Sequence, residues 1–217
     1  MKFKNRVLGL MGLAGALALA GQSAQALTIV DPGAANATTY TTNNNNDLGL
    51  PGGTSQTVLV GYALRALGAG SLTYTYIGKE AGYTNRVNFS ILAGGCSFNT
   101  ATATIGQTCS DSTEGGLLSF RFRTDGLSGA ASQVQNGDDF TLSSLMIFGL
   151  IQISENQWYI LLDDSGGNPN DKDFDDLGLL VTFRPANSVP EPGTLGLLGL
   201  GLLGLVPALR RRGLAVR

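Results

Sequence analysis

Between residues 57 and 183 several short runs repeat apolar side chains at every second position, and no stretch of useful length repeats them at the three-and-four spacing of an amphipathic helix. Residues 57–66 read as a mainly apolar strand. Residues 71–77 put Leu72, Tyr74 and Tyr76 on one face, and residues 86–92 put Val87, Phe89 and Ile91 on one face. Leu118, Phe120 and Phe122 alternate with Ser119, Arg121 and Arg123, giving one buried and one wet face. Residues 140–153 are apolar enough for a buried strand pair or one long strand bent near Gly149, with a short helix over 142–150 as the competing assignment. Residues 158–162 and 177–183 complete a set of about seven strands, punctuated by turns such as Asn136-Gly137. Together they predict an all-β fold, an antiparallel two-sheet sandwich of immunoglobulin-like or jelly-roll type.

The two ends of the chain follow different rules. Lys2, Lys4 and Arg6 precede an apolar run over residues 7–20, and Ala24 and Ala26 supply the small residues a signal peptidase requires, so residues 1–26 read as a signal peptide cut before Leu27. A permanent membrane helix is the alternative, and the run is short for one. Residues 27–56, rich in Thr, Asn, Gly and Pro, read as a polar arm or loop, and residues 57–188 as the sandwich domain. In residues 189–217, Pro190 and Pro192 stiffen the chain around Glu191, an apolar run occupies 194–209, and Arg210, Arg211 and Arg212 follow. As a helix, 194–209 spans roughly 25 Å, enough for a thin membrane core, and its glycines are tolerated there. The arginines keep the C-terminus cytoplasmic and leave everything before residue 189 outside.

Pro-Glu-Pro, a Leu/Gly-rich span and a basic end, in that order, resemble the PEP-CTERM sorting tail of Gram-negative bacterial surface proteins. The resemblance covers residues 189–212 only. It implies a single transmembrane sorting helix that anchors the chain transiently in the inner membrane. It also implies an exosortase that recognises and cuts near Pro190, Glu191 and Pro192, delivery to the cell surface or the exterior, and association with exopolysaccharide and biofilm. An ordinary single-pass anchor that is never cut is the competing reading.

Without its two ends the chain changes character. Residues 27–188 hold seven Lys or Arg against fifteen Asp or Glu, a net charge of −8, whereas the whole chain carries −2. An acidic exported domain excludes a basic patch for nucleic acid and fits divalent cations or plain solubility. Its two cysteines, Cys96 and Cys109, flank a short polar loop, and in an exported protein they are expected to pair as a disulfide. A redox or metal role is the alternative; the chain has no Cys-x-x-Cys and no histidine.

Residues 163–176 contain six of the fifteen carboxylates of 27–188. Asp171, Asp173 and Asp175 are spaced by two, so an extended segment points all three one way and Phe174 the other. With Asp176 they are candidate ligands for calcium, which takes six to eight oxygens. The segment is not an EF-hand: Asp176 stands where the loop needs Gly, and Thr182 where it needs Glu. Residues 171–177 resemble an Asp-x-Asp-(Phe/Tyr)-(Asn/Asp)-Asp-Leu stretch near the end of many bacterial surface domains. The competing reading is a solvated turn whose aspartates cap backbone amides.

Catalysis is not expected. Without histidine there is no Ser-His-Asp or Cys-His arrangement, and the residues around Gly52 and Gly53 lack the lysine of a phosphate loop. A carboxylate-based glycoside hydrolase would draw on Glu80, Glu114 or Glu155. The residues therefore favour an exported surface or matrix protein. The alternative is a glycan-binding or calcium-dependent adhesion module using aromatics such as Tyr62, Tyr83, Trp158 or Tyr159, although at strand spacing these belong more often to a core.

Overall fold

The alternating runs fold as strands. A computed structural model describes residues 27–31, 36–42, 46–80, 82–89, 96–164 and 172–186. The signal-cleavage residues Ala24 and Ala26, Asp171, and the tail with Pro190, Glu191, Pro192 and the apolar run 194–209 lie outside the described residues.

The largest sheet has seven antiparallel strands in the order β2 (Thr38–Thr41), β3 (Thr57–Val60), β12 (Ile147–Ser154), β13 (Gln157–Asp163), β14 (Leu177–Pro185), β5 (Gly70–Gly78) and β8 (Thr108–Thr113). A four-stranded sheet runs β11 (Gln133–Gln135), β10 (Arg121–Thr124), β6 (Asn85–Phe89), β7 (Cys96–Asn99). A three-stranded sheet runs β1 (Leu27–Val30), β4 (Ala63–Ala66), β9 (Gly116–Leu117). The helical content of the described residues is one 3-10 turn, Gly129–Ser132.

Aromatic side chains join the layers. Tyr74 of β5 stacks on Phe89 of β6 at 3.8 Å between ring centroids, and Phe148 of β12 meets Phe120 edge-on at 5.3 Å and Phe122 at 6.2 Å. Leu27, Leu64 and Ala66 of the three-stranded sheet are buried in the same cluster, so one face of the large sheet is covered by the two smaller ones in a sandwich-like arrangement. At one margin Cys96 on β7 meets Cys109 on β8 with Cα atoms 5.9 Å apart, a separation that a disulfide spans. Both strands are the outermost of their sheets.

The two smaller sheets are stitched together by one side chain. Leu118 N–H donates to Leu64 O and Asn136 N–H to Phe120 O, so β4 and β11 flank the same side of the strand that continues from β9 into β10. The Asn136 amide fills the gap between them. Its Nδ2 donates to Leu64 O and Leu118 O, each at 2.7 Å, and its Oδ1 accepts from Leu64 N–H at 2.8 Å. A side-chain amide here stands in for a missing peptide group, and losing it would take a partner from Leu64 N–H and Leu118 O, while Leu64 O keeps Leu118 N–H.

Several expectations are corrected. The two expected sheets are three, and the roughly seven strands are fourteen among the described residues. A seven-stranded sheet exceeds the three or four strands of an immunoglobulin constant-type sheet, and fourteen strands exceed the eight of a jelly roll. Residues 57–66 are two strands in different sheets, broken at Gly61, where φ is +78° and a Cβ would lie 2.7 Å from the backbone oxygen of Asn36. Residues 27–56, expected as an arm, carry β1 and β2 and bury Leu27 and Leu50. β2 is Thr-Thr-Tyr-Thr, a short β-branched edge strand whose polarity hid it. Residues 140–146 form neither strand nor helix, and β12 begins only at Ile147.

Candidate metal centre

Residues 172–176 of the acidic segment, which lead into β14, lie over the far face of the large sheet, opposite the smaller sheets. Gly149 leaves room for the Phe174 ring, and Gly178 for Leu48 and Ile77 beside it. A Cβ at Gly149 would lie 2.8 Å from Val58 Cβ and 3.0 Å from the Phe174 ring, and one at Gly178 would lie 2.7 Å from Leu48. Phe174 is fully buried there, 6.0 Å from the ring of Tyr40, with φ at +58°. Left-handed backbone costs a non-glycine residue ~1–2 kcal/mol, and burying a phenylalanine contributes ~1.5–3 kcal/mol, so the ring's pocket sustains the turn. Phe174 thus points inward as the spacing suggests, through a left-handed turn in place of an extended strand.

Asn46 fixes that turn from outside, its Nδ2 donating to Asp173 O at 3.0 Å and to Phe174 O at 2.9 Å. The turn presents two sets of carboxylates. In the first, oxygens of Glu80, Asp173 and Asp175 lie within 4.8 Å of one another. Glu80 is exposed, Asp173 half-buried and Asp175 buried. Glu80 N–H donates to Asp175 O at 2.8 Å, which carries the chain beyond β5 to this place. Asp175 Oδ2 accepts from Asp47 N–H at 2.8 Å, while its Oδ1 is buried without a hydrogen-bond partner. Burial above all raises the Asp175 carboxyl above the usual range, the Asp47 amide and the Asp173 side chain oppose that, and the charges of Glu80 and Asp47 reinforce it.

The second set is deeper. Asp176 Oδ2 accepts from Asp164 N–H at 2.6 Å, and Asp164 Oδ2 accepts from Asn85 Nδ2 at 2.8 Å and from the Thr124 hydroxyl at 3.4 Å. Burial, with Asp164 nearby, pushes the Asp176 carboxyl up to about 8. The two readings of the acidic segment overlap: Asp175 and Asp176 each cap a backbone amide, and Asp173 and Asp175 also converge with Glu80. Glu80 has no spacing signal, since it is 93 positions before Asp173 in the chain.

Three carboxylates so placed can hold a hard divalent cation. Oxygens bonded to one calcium at ~2.3–2.6 Å lie at most ~5 Å apart, which accommodates this group. The aromatics considered for glycan contact are dispersed. Trp158 is buried, Tyr62 and Tyr159 are partly buried against the core, and Tyr83 lies over Gly126.

Comparison with known proteins matches residues 188–212 to the PEP-CTERM protein-sorting motif. No match to the chain was found among curated proteins or solved structures.

Proposed function

We propose, from the premise that this chain carries a PEP-CTERM protein-sorting motif, that its β-domain is non-catalytic cargo delivered to the outside of a Gram-negative cell. The observation that carries the reading is the position of the motif: residues 188–212 begin three residues after β14, the last strand of the large sheet, ends at Pro185. A cut near Pro190, Glu191 and Pro192 leaves every described strand on one side. Signal peptidase removes residues 1–26, the run 194–209 holds the chain transiently in the inner membrane, and an exosortase releases it toward the surface, where exopolysaccharide and biofilm matrix are its surroundings.

Two features suit that destination. A Cys96–Cys109 disulfide forms in an oxidising exterior and fastens the margins of the sandwich, contributing about 3 kcal/mol for a loop of this length. Calcium is the cofactor of this reading, because weak oxygen sites fill at the concentrations found outside cells. A glycan-binding role gains less support, with Trp158 inside the core.

The test is a chain with Pro190→Ala, Glu191→Ala and Pro192→Ala in a host that has an exosortase. The longer, membrane-bound form is expected to accumulate while the parent is shortened. Equal processing of both chains would overturn the reading in favour of a permanent anchor.

A further inference from the structure

Asp175 carries a buried oxygen that no hydrogen bond reaches. Its residue is 1% exposed, one carboxylate oxygen is taken by the Asp47 amide, and the other is buried with no donor. Leaving a buried charged acceptor unmade costs more than a neutral one, and a carboxylate set against further carboxylates cannot find a donor among them without a proton. Both other acids of the group lie on the same side, Asp173 from the same turn and Glu80 from beyond β5. Carboxylates converging on a residue with a buried, unbonded acceptor oxygen make a place that suits a cation.

We infer that Glu80, Asp173 and Asp175 are the protein ligands of a calcium ion that clasps the acidic turn to the end of β5. Calcium is favoured over magnesium because carboxylates drawn from an irregular turn and a strand end suit its flexible coordination, whereas magnesium demands near-ideal octahedral geometry. The exposed side, at Glu80, leaves room for the waters that complete six to eight ligands. Because Asp175 also holds the Asp47 amide, the ion fixes three segments distant in sequence: residues 46–50, the end of β5 and residues 172–176. This deepens the calcium part of the function proposed above, and it rests on export only for the supply of the ion.

Binding is measured on the purified full chain in detergent, so a failure of sorting cannot be confused with a failure of the site. Terbium replaces calcium as the probe, and its luminescence is excited through tyrosine, since Tyr40 lies within electrostatic reach of Asp173. The expected result is a luminescent signal displaced by calcium at lower concentration than by magnesium, and weakened at least tenfold in affinity by Glu80→Gln, whose exposed position leaves the fold undisturbed. Tyr40→Phe lowers the signal and leaves the affinity unchanged. Asp173→Asn gives a second, opposed signature: with chelator its Tm is higher than the parent's because repulsion is relieved, and with calcium its Tm no longer rises. Absence of terbium binding, affinity indifferent to both Glu80→Gln and Asp173→Asn, or a lower Tm of Asp173→Asn in chelator would each overturn the assignment.

Discussion

At the scale of single residues, the acidic turn sets how this protein responds to pH. Asp176 is neutral in the fold up to about pH 8 and ionised in the unfolded chain above its ordinary value of 3.8. Between those values the native state binds the extra proton, so stability is highest in acid and falls as pH rises toward 8. The Asp175 carboxyl, also raised, acts in the same direction. Asp176→Asn keeps an oxygen to accept from Asp164 N–H and removes the titration. In chelator, urea unfolding between pH 5 and pH 8 is expected to show a declining midpoint for the parent and a flatter one for the variant. A parent midpoint that climbs across this interval would contradict the assignment.

Single residues also mark where sequence reading stops. Leu72, Tyr74, Tyr76, Phe120 and Phe122 advertise their buried face because each sits two positions from the next, and all five are buried. Nothing about Asn136 announces that its amide closes the gap between two strands, because the gap exists only once β4 and β11 have met the same neighbour. Glu80 is equally silent, since it reaches Asp175 through a tertiary hydrogen bond.

At the scale of elements, one ring anchors the turn before β14 to β2 and β12 of the large sheet. Phe174 fills the space that Gly149 leaves and presses against Tyr40 of the edge strand β2. Truncating it leaves a cavity under the turn as well as removing buried surface. Phe174→Ala is expected to cost ~3–5 kcal/mol of unfolding free energy, and chemical denaturation at fixed pH measures it. A loss under ~1 kcal/mol would mean that the turn is carried by Asn46 alone.

The elements that sequence reading missed share a cause. β7 and β8 flank a polar loop, β1 and β2 are four residues each, and all four are the outermost strands of their sheets. Edge strands bury little, so their alternation is weak against a Thr/Asn/Ser background. Conversely β13 and β14, central in the large sheet, were plain from residues 158–162 and 177–183. The split of residues 57–66 at Gly61 was hidden because both halves are apolar and the break is a backbone conformation.

For the whole molecule, the proposed function puts the sheets, the cysteine pair and the acidic turn in a domain sorted out of the cytoplasm by the tail that follows it. Its acidity emerges only once the two basic ends are set aside, and the motif at 188–212 supplies the route. The layers close on one continuous core, with the cysteine pair at one margin and the candidate cation site on the far face of the large sheet. The most direct measurement is the intact mass, without reductant, of the protein recovered from the surface and medium of an exosortase-bearing cell, with and without prior thiol alkylation. The account predicts a chain that begins at Leu27, ends near Pro190, Glu191 and Pro192, lacks Arg210, Arg211 and Arg212, and takes up no alkylating agent at Cys96 or Cys109. A chain that still carries residues 194–217 and remains with the inner membrane would contradict it.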